Sequence, residues 1–289
     1  MSYLNERNDD MPIINIHLSE YCEKLKEIDW FIFETIVAKG ISEEKDAKRI
    51  CVDEIINRYE YCVSEDTVWR SIKLLVTINF FSVKKLQTGY RNFNILILTD
   101  IGGVAYMRQY KKNPPKQEHQ RIISEHASYT HGYMIKDAKT ILEKKPIYIS
   151  VETGRNENTM RFSDGTAYIP DVRAFMSISN VHYYEIECGN HHQADINAKC
   201  DKMARLTKHL IFVGQNRKIV CGILKRQLEN WIEHRGRINL LRHGIKVYLT
   251  TMSDLDANKW TYIYDMKTEE PSCSFREKKN KKEIENYEG

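Results

Sequence analysis

Residues 167–188 have the sequence AYIPDVRAFMSISNVHYYEIEC, in which a polar turn joins two runs of β-branched and aromatic residues. Such runs, bounded by polar turn residues, are typical of neighbouring β-strands. Asp171 follows Pro170 in the first run, and Glu185 and Glu187 stand two apart in the second. Because strand side chains alternate between two faces, Glu185 and Glu187 are predicted to share one face.

The segments around these two strands predict a mixed sheet with flanking helices. A helix is expected over 121–143 and a further strand over Pro146–Val151, so that three strands form a meander. The order of elements indicates an α/β (α+β) sheet that combines antiparallel and parallel strands. The later expected elements are helix Gln193–Leu210, strand Lys218–Ile223, helix Lys225–His234 and strand Ile245–Thr251.

The N-terminal part predicts three helices, a β-hairpin and a capped helix. This order resembles a winged helix-turn-helix, and Leu98-Thr-Asp-Ile-Gly-Gly resembles the exit from the wing in bacterial winged-helix regulators. The expected elements are helices Leu18–Lys39 and Glu44–Arg58, a helix that Ser64 caps, hairpin strands Phe80–Leu86 and Phe93–Leu98, and helix Asp100–Tyr110 after Thr99.

The winged-helix resemblance implies that the third helix enters the major groove of DNA and that the wing contacts the backbone or the minor groove. Between residues 64 and 91 there are five basic residues and two acidic ones, a local charge that favours phosphate binding. The alternative is that this face serves dimerisation or protein docking. The candidate DNA-binding residues are Thr67, Arg70, Ser71 and Lys73 on the helix, and Lys84, Lys85 and Arg91 on the wing.

Pro170-Asp171 and Glu185-Ile-Glu187, in this order of strands, resemble the PD-(D/E)XK nuclease superfamily. The resemblance implies a restriction-endonuclease-like domain with Mg²⁺, for which Mn²⁺ can substitute. Magnesium prefers oxygen ligands from a few carboxylates and water. Asp171 and Glu185 are the expected ligands, and Glu152 on the preceding strand is a third candidate.

The sequence departs from the superfamily pattern at Glu187, where the superfamily usually has lysine. That lysine orients or helps to deprotonate the attacking water. Some members supply the basic group from the following helix, where Lys202 is our first candidate and Lys199 our second. The alternative is a nuclease core that has lost catalysis and kept its DNA-binding shape. The candidate catalytic residues are Asp171, Glu185, Glu187, Lys202 and Lys199.

A narrower resemblance is to the replication-relaxation family of plasmids and other mobile elements. It rests on Ser124-Glu-His-Ala, Ile169-Pro-Asp-Val, Tyr184-Glu-Ile-Glu-Cys-Gly-Asn and Lys202-Met-Ala-Arg. It implies a DNA-binding protein that nicks or relaxes DNA, or an inactive accessory or regulator of replication or conjugation. The implied partner is double-stranded DNA. Further candidate partners are a second copy of the chain and replication or conjugation proteins.

Pro114 and Pro115 mark the expected division of the chain. The net charge of +4 neither requires nor excludes a nucleic-acid partner. No apolar run approaches the ~18 residues of a membrane span, and residues 1–10 lack the apolar core of a secretory signal, so we expect a cytoplasmic protein without membrane contact. The expected parts are an arm (1–17), the winged helix (18–112), a linker (113–120), the nuclease-like domain (121–265) and a basic disordered tail (266–289).

The remaining metal-ligating residue types predict no further site. The seven cysteines contain no CxxC pair, so we expect reduced thiols. Zinc is not expected at Cys188, His191, His192 and Cys200, because closed zinc sites need tighter ligand pairs. His126 and His131 are five apart, about 140° around one helix, so we expect satisfied or partly exposed histidines.

Overall fold

A computed structural model describes residues 22–60, 62–126, 128–153, 159–268 and 270–272. The described residues divide into two compact units, the first within residues 22–87 and 91–124 and the second within residues 88–90 and 125–272. The predicted arm (1–17) lies outside the described residues, as does most of the predicted tail (266–289). None of the helices in the described ranges is long and apolar enough to cross a membrane.

The first unit has three helices, a hairpin and a capped helix in the predicted order. The predicted bounds of the first helix, Leu18–Lys39, are wrong at the start, because residues 23–26 are not helical and the helix runs from Glu27 to Ala38. The Ser64 hydroxyl accepts a hydrogen bond from the Thr67 amide (3.2 Å), and the Thr99 hydroxyl accepts one from the Gly102 amide (3.0 Å). These caps begin the third and fourth helices where the sequence predicts them. The elements are α1 (Glu27–Ala38), α2 (Glu44–Tyr59), α3 (Glu65–Thr77), β1 (Phe81–Gln87), β2 (Asn92–Leu98) and α4 (Asp100–Tyr110).

A third short segment joins the hairpin of the first unit. Glu43 forms a β-bridge with Ile95, and the Leu96 amide donates to the Ser42 carbonyl at 2.7 Å. The apolar sides of the helices and of the hairpin enclose one core, in which Phe33, Ile72 and Phe80 are fully buried. Packing of an amphipathic face, rather than local propensity, supplies most of the stability of such short helices.

The segment predicted as a linker (113–120) packs onto the first unit instead. Gln117 is only 2% exposed, and its side-chain amide donates to the carbonyls of Ile41 and Leu96, both at 3.2 Å. Its side-chain oxygen accepts a hydrogen bond from the Leu98 amide at 2.7 Å. This buried amide joins β2 to the segment before α2, so the first unit continues past the prolines to Ser124.

The second unit contains a six-stranded mixed sheet with flanking helices. The elements from the end of the first unit onward are α5 (Glu118–Glu125), α6 (Tyr129–Glu143), β3 (Ser150–Thr153), β4 (Met160–Arg161), β5 (Ala167–Tyr168), β6 (Val172–Phe175), β7 (Val181–Glu187), α7 (Gln193–Ala204), β8 (His209–Gly214), a π-helix (Lys218–Leu224), α8 (Lys225–Arg235), α9 (Arg237–Arg242), β9 (Lys246–Thr251), α10 (Met252–Asp256) and β10 (Tyr262–Asp265). The strand order in the sheet is β10-β9-β8-β7-β6-β3. The strands are antiparallel in the predicted meander β3-β6-β7 and between β9 and β10, and parallel across β7-β8-β9.

Each face of this sheet has its own apolar core. Phe212 and Leu249 pack with residues of α7 and α8 on one face, and Ile186 and Val213 pack with residues of α6 and α10 on the other. Since side chains alternate along β7, the neighbours of Ile186 point to the α7 face. The local sequence therefore directs Glu185 and Glu187 towards α7.

Several predicted elements of the second unit are wrong. The expected helix 121–143 is two helices, and the strand expected over Pro146–Val151 begins only at Ser150. The helix expected over Gln193–Leu210 ends at Ala204, because the apolar run His209–Gly214 is a buried parallel strand. The expected strand Lys218–Ile223 is a π-helix. The predictions for α8 and β9 are confirmed, with ends that differ by one residue.

Candidate functional site

A cavity of about 510 Å³ opens at the end of β7 in the second unit. Acidic and basic side chains from five parts of the chain line it: Asp171 before β6, Glu185 on β7, Lys199 on α7, His131 on α6 and His191 between β7 and α7. Asp171 directly precedes the strand pair in which Val172 faces Tyr184, so it lies beside Glu185. The sequence-predicted acids of β6 and β7 therefore meet at one cavity.

Lys199 joins the two glutamates of β7. Its Nζ atom lies 2.8 Å from Oε2 of Glu185 and 2.6 Å from Oε1 of Glu187. Glu185 is 1% exposed and Glu187 is fully buried. Burying two carboxylates is costly unless they are paired, so the ammonium group is a structural requirement of this arrangement.

The remaining oxygens of the two glutamates also have partners. The Tyr168 hydroxyl donates to Oε1 of Glu185. Oε2 of Glu187 lies 2.6 Å from Nδ1 of His191, a ring that is partly exposed to the cavity. The hydrogen bond with Glu187 raises the pKa of His191 above its usual range, against the effect of its partial burial. Glu187 thus holds two basic groups at the cavity wall.

Asp171 is held from two sides. Its Oδ2 accepts a hydrogen bond from the Ile186 amide at 2.8 Å and lies 3.4 Å from Nε2 of His131. The same ring nitrogen lies 3.0 Å from the Ile186 carbonyl oxygen, which can only accept, so Nε2 carries a proton. Within the described ranges, Oδ1 of Asp171 has no hydrogen-bond partner, which leaves one carboxylate oxygen for a ligand.

The surroundings shift the pKa values of Glu185, Asp171 and Lys199 in different directions from their ordinary values. Burial raises the pKa of Glu185 to about 7 although Lys199 opposes it, with the negative charges of Asp171 and Glu187 adding to the rise. Burial would also raise the pKa of Asp171, but hydrogen bonding and charge from His131 reverse the effect and lower it. Burial would lower the pKa of Lys199, yet the two glutamates raise it above its ordinary value. Asp171 is therefore ionised and Lys199 charged at neutral pH, while Glu185 exchanges a proton there.

Two of the residues predicted for this site lie away from the cavity lining. Glu152 on β3 forms an ion pair with Arg173, its partner across the β3-β6 pair. Lys202 is half-buried, one turn further along α7. The structure thus brings Lys199, and not our first candidate Lys202, to the carboxylates.

The residues considered for zinc do not converge. Cys200 lies in the apolar core on the α7 face, whereas Cys188 packs against Met134 of the opposite core. His192 caps α7 together with Asp195. Among the described residues, no group of three or more His, Cys, Asp or Glu side chains is arranged to hold a metal ion.

The donor chemistry nevertheless fits magnesium, which needs fewer protein ligands. Mg²⁺ usually binds through one or two carboxylates, water and substrate phosphates rather than in an all-protein cage. Asp171 and Glu185 supply two carboxylates at one open cavity, and Asp171 retains an oxygen without a protein partner in the described part of the chain.

Sequence reasoning missed the place of His131 in this site. We expected one helix, which would separate His126 and His131, but the helix is interrupted and the two rings lie 5.6 Å apart. The Ser128 hydroxyl accepts a hydrogen bond from the His131 amide at 3.2 Å and caps α6. A serine followed by helix-forming residues is the signal that predicts this second start.

In the first unit, five of the seven candidate DNA-binding residues are exposed: Thr67, Arg70, Lys73, Lys84 and Lys85. Ser71 is 6% exposed and faces the core of the unit. Arg91 forms two hydrogen bonds with the buried Glu43, at 2.7 and 2.9 Å. Ser71 and Arg91 therefore stabilise the unit rather than extend the basic face.

Comparison with known protein families finds no family model that matches the chain, and comparison with curated proteins finds no significant match. The winged-helix, nuclease and replication-relaxation resemblances therefore remain predictions, carried by the residues quoted for them.

Proposed function

We propose that the chain binds duplex DNA through its first unit and hydrolyses DNA phosphodiester bonds at the cavity of its second unit. The observation that carries this proposal is the meeting of Asp171, Glu185 and Lys199 at one cavity. Two carboxylates that meet at one cavity and a neighbouring ammonium group suit metal-assisted hydrolysis of a phosphodiester, because they can hold a cation and offset the charge of the phosphate.

Asp171 and Glu185 would hold Mg²⁺, or Mn²⁺ in its place. The ion would act as a Lewis acid at the phosphate and lower the pKa of a bound water. Lys199 offsets negative charge at the phosphate, and His131 orients the Asp171 carboxylate. Glu187 positions Lys199 and His191 rather than serving as an ion ligand.

The arrangement of the first unit supports duplex binding. α2 ends at Tyr59 and α3 begins at Glu65, and the segment around Glu43 adds a β-bridge to the hairpin, an order of elements like that of a winged helix. The exposed side of α3 carries Arg70 and Lys73, and β1 of the hairpin carries Lys84 and Lys85. Lysine and arginine on a helix and on an adjacent hairpin suit two neighbouring stretches of DNA backbone.

A second candidate is a DNA-binding accessory protein without catalytic activity. One observation favours it: Lys199 forms ion pairs with both Glu185 and Glu187, so the glutamates are already neutralised by the protein. A role in plasmid or mobile-element replication, relaxation or conjugation accompanies either candidate, and it rests on the replication-relaxation resemblance alone.

Conversion of a supercoiled plasmid in the presence of Mg²⁺ separates the two candidates. The protein is added in excess over the non-specific binding sites of the plasmid, so that cleavage does not depend on a particular DNA site. We expect open-circular or linear product with the native chain and with Glu152→Gln, the matched acid outside the cavity. Asp171→Asn and a chelator should each abolish it. Equal plasmid profiles for the native chain and Asp171→Asn would reject hydrolysis and leave the accessory role.

A further inference from the structure

Five rings form a continuous series at the opposite end of β7 from the acidic cavity. They are Tyr148, His182, His209, Tyr248 and Trp260, and successive ring centroids lie 5.8, 5.8, 5.5 and 5.1 Å apart. His182, His209 and Tyr248 come from the adjacent strands β7, β8 and β9. We call these five residues the ring row.

The ring row is partly open and held in place. All five rings are half-buried, and cavities of about 330 and 200 Å³ open beside the row and share His182. The Tyr148 hydroxyl lies 2.9 Å from Nδ1 of His182 and 2.6 Å from the hydroxyl of the buried Tyr184. A ligand would therefore meet rings that are already ordered, which lowers the entropic cost of binding.

The ring row lies on the face of the sheet that does not carry Glu185. His182 pairs with Ala174, which belongs to the core on the α6 face. Tyr148, Tyr248 and Trp260 pack against the same core. A ligand at the ring row thus contacts a surface separate from the acidic cavity.

Lysines surround the row. Lys208 lines the larger cavity, and Lys145 and Lys259 line the smaller one. Lys246 on β9 pairs with His209 of β8. Two aspartates lie beside these lysines: Asp265 pairs with Lys246 at 2.7 Å, and Asp256 lies near Lys145. The surface combines flat apolar rings with ammonium groups, of which that of Lys208 is on a solvent-exposed residue.

The two histidines contribute as rings rather than as cations. Burial lowers the pKa of His182, with the neighbouring His209 adding to the effect. Burial also lowers the pKa of His209, and the charge of Lys246 acts in the same direction. Both imidazoles are therefore neutral at pH 7.

We propose that the ring row binds unpaired nucleotides of single-stranded DNA. Sheet surfaces that expose aromatic side chains hold unpaired bases by stacking, and surrounding cations attract the phosphates. Bases inside a duplex offer no free face to such rings. The proposed ligand therefore differs from that of the first unit, and it does not depend on hydrolysis.

Fluorescence anisotropy of a labelled oligothymidylate tests the proposal with the full chain in a chelator, where metal-dependent hydrolysis cannot occur. Tyr248→Leu and His209→Leu remove rings while keeping apolar volume. Each should raise the dissociation constant for oligothymidylate at least about fivefold. That factor corresponds to the lower end of the free energy that stacking of one base on one side chain contributes. Binding of the same strand annealed to oligoadenylate should be unchanged.

Phe175→Leu is the matched control, because it removes a half-buried ring on the other face of the sheet. Lys208→Gln, a solvent-exposed change, should weaken oligothymidylate binding and reduce its salt dependence even if a ring variant folds poorly. Equal losses for Phe175→Leu and Tyr248→Leu would overturn the proposal, as would equal losses for single-stranded and duplex probes. The proposal would also be overturned if Tyr248→Leu or His209→Leu changed the sedimentation coefficient of the protein but not its binding of oligothymidylate. The surface would then be a contact with a second copy of the chain.

Discussion

Nζ of Lys199 lies 2.6 Å from Oε1 of Glu187, the residue at the position where the resembled nuclease superfamily usually has lysine. The strand thus supplies a carboxylate and the following helix supplies the ammonium group. Glu187 also holds His191, so it acts as a positioning residue for two basic groups at the cavity. The charge of Lys199 offsets part of the cost of burying Glu185 and Glu187, together with the contacts from Tyr168 and His191.

Replacing Lys199 with methionine should abolish cleavage and destabilise the second unit. Removing one partner of a buried ion pair costs about 3–5 kcal/mol, because the remaining charge stays buried without compensation. Plasmid conversion and urea denaturation measure the two effects. Lys202→Met, on the same helix and away from the cavity lining, should leave cleavage and stability nearly unchanged. If Lys202→Met abolished cleavage and Lys199→Met did not, Lys202 would be the basic group of the site.

Glu185→Gln should change how stability depends on pH. The folded-state pKa of Glu185 is raised from 4.5 to about 7, so its contribution to stability is fully present below pH 4.5 and is lost as the pH rises to about 7. The glutamine variant has no such loss. Its free energy of unfolding, relative to the native chain, should rise by an amount on the order of 2 kcal/mol between pH 5 and 8. Parallel curves from denaturation at each pH would contradict the raised pKa.

The shared face of Glu185 and Glu187 could be predicted from the sequence, whereas the choice between Lys199 and Lys202 could not. Strand side chains repeat every two residues, so the spacing of the glutamates determines their common direction. Residues three apart on a helix differ by about 60° around its axis. Both lysines therefore suited the predicted site, and only the packing of α7 distinguishes them.

The parallel half of the sheet was harder to predict. The apolar run His209–Gly214 continues directly from the residues after α7, and a short apolar run suits a buried helix or a buried strand equally well. Beyond it, Val220 lies 2.4 Å from where a side chain of Gly214 would begin, so the glycine admits the π-helix close to β8. Such close packing is a tertiary property, which periodicity does not report.

Arg91→Ala should affect stability rather than the electrostatics of DNA binding. Arg91 makes two hydrogen bonds with the buried Glu43, so its loss should lower the free energy of unfolding by about 3 kcal/mol. The matched change Lys85→Ala, at an exposed position on β1, should leave stability unchanged. It should reduce the slope of log affinity against log salt by about 0.9 in a duplex titration. If Arg91→Ala instead reduced the slope of log affinity against log salt and left the free energy of unfolding unchanged, Arg91 would contact DNA and not stabilise the unit.

The adjacent glycines of α4 should respond to alanine in opposite directions. A side-chain carbon at Gly102 would lie 2.2 Å from the Phe80 carbonyl oxygen, whereas one at Gly103 would meet no atom within 4 Å. Gly102→Ala must displace backbone and should cost about 1–3 kcal/mol or more, as overpacking does. Gly103→Ala should stabilise the unit by up to about 1 kcal/mol, because alanine has the higher helix propensity. Thermal denaturation of the full chain measures both, and a stabilising Gly102→Ala would refute the close approach of α4 to the start of β1.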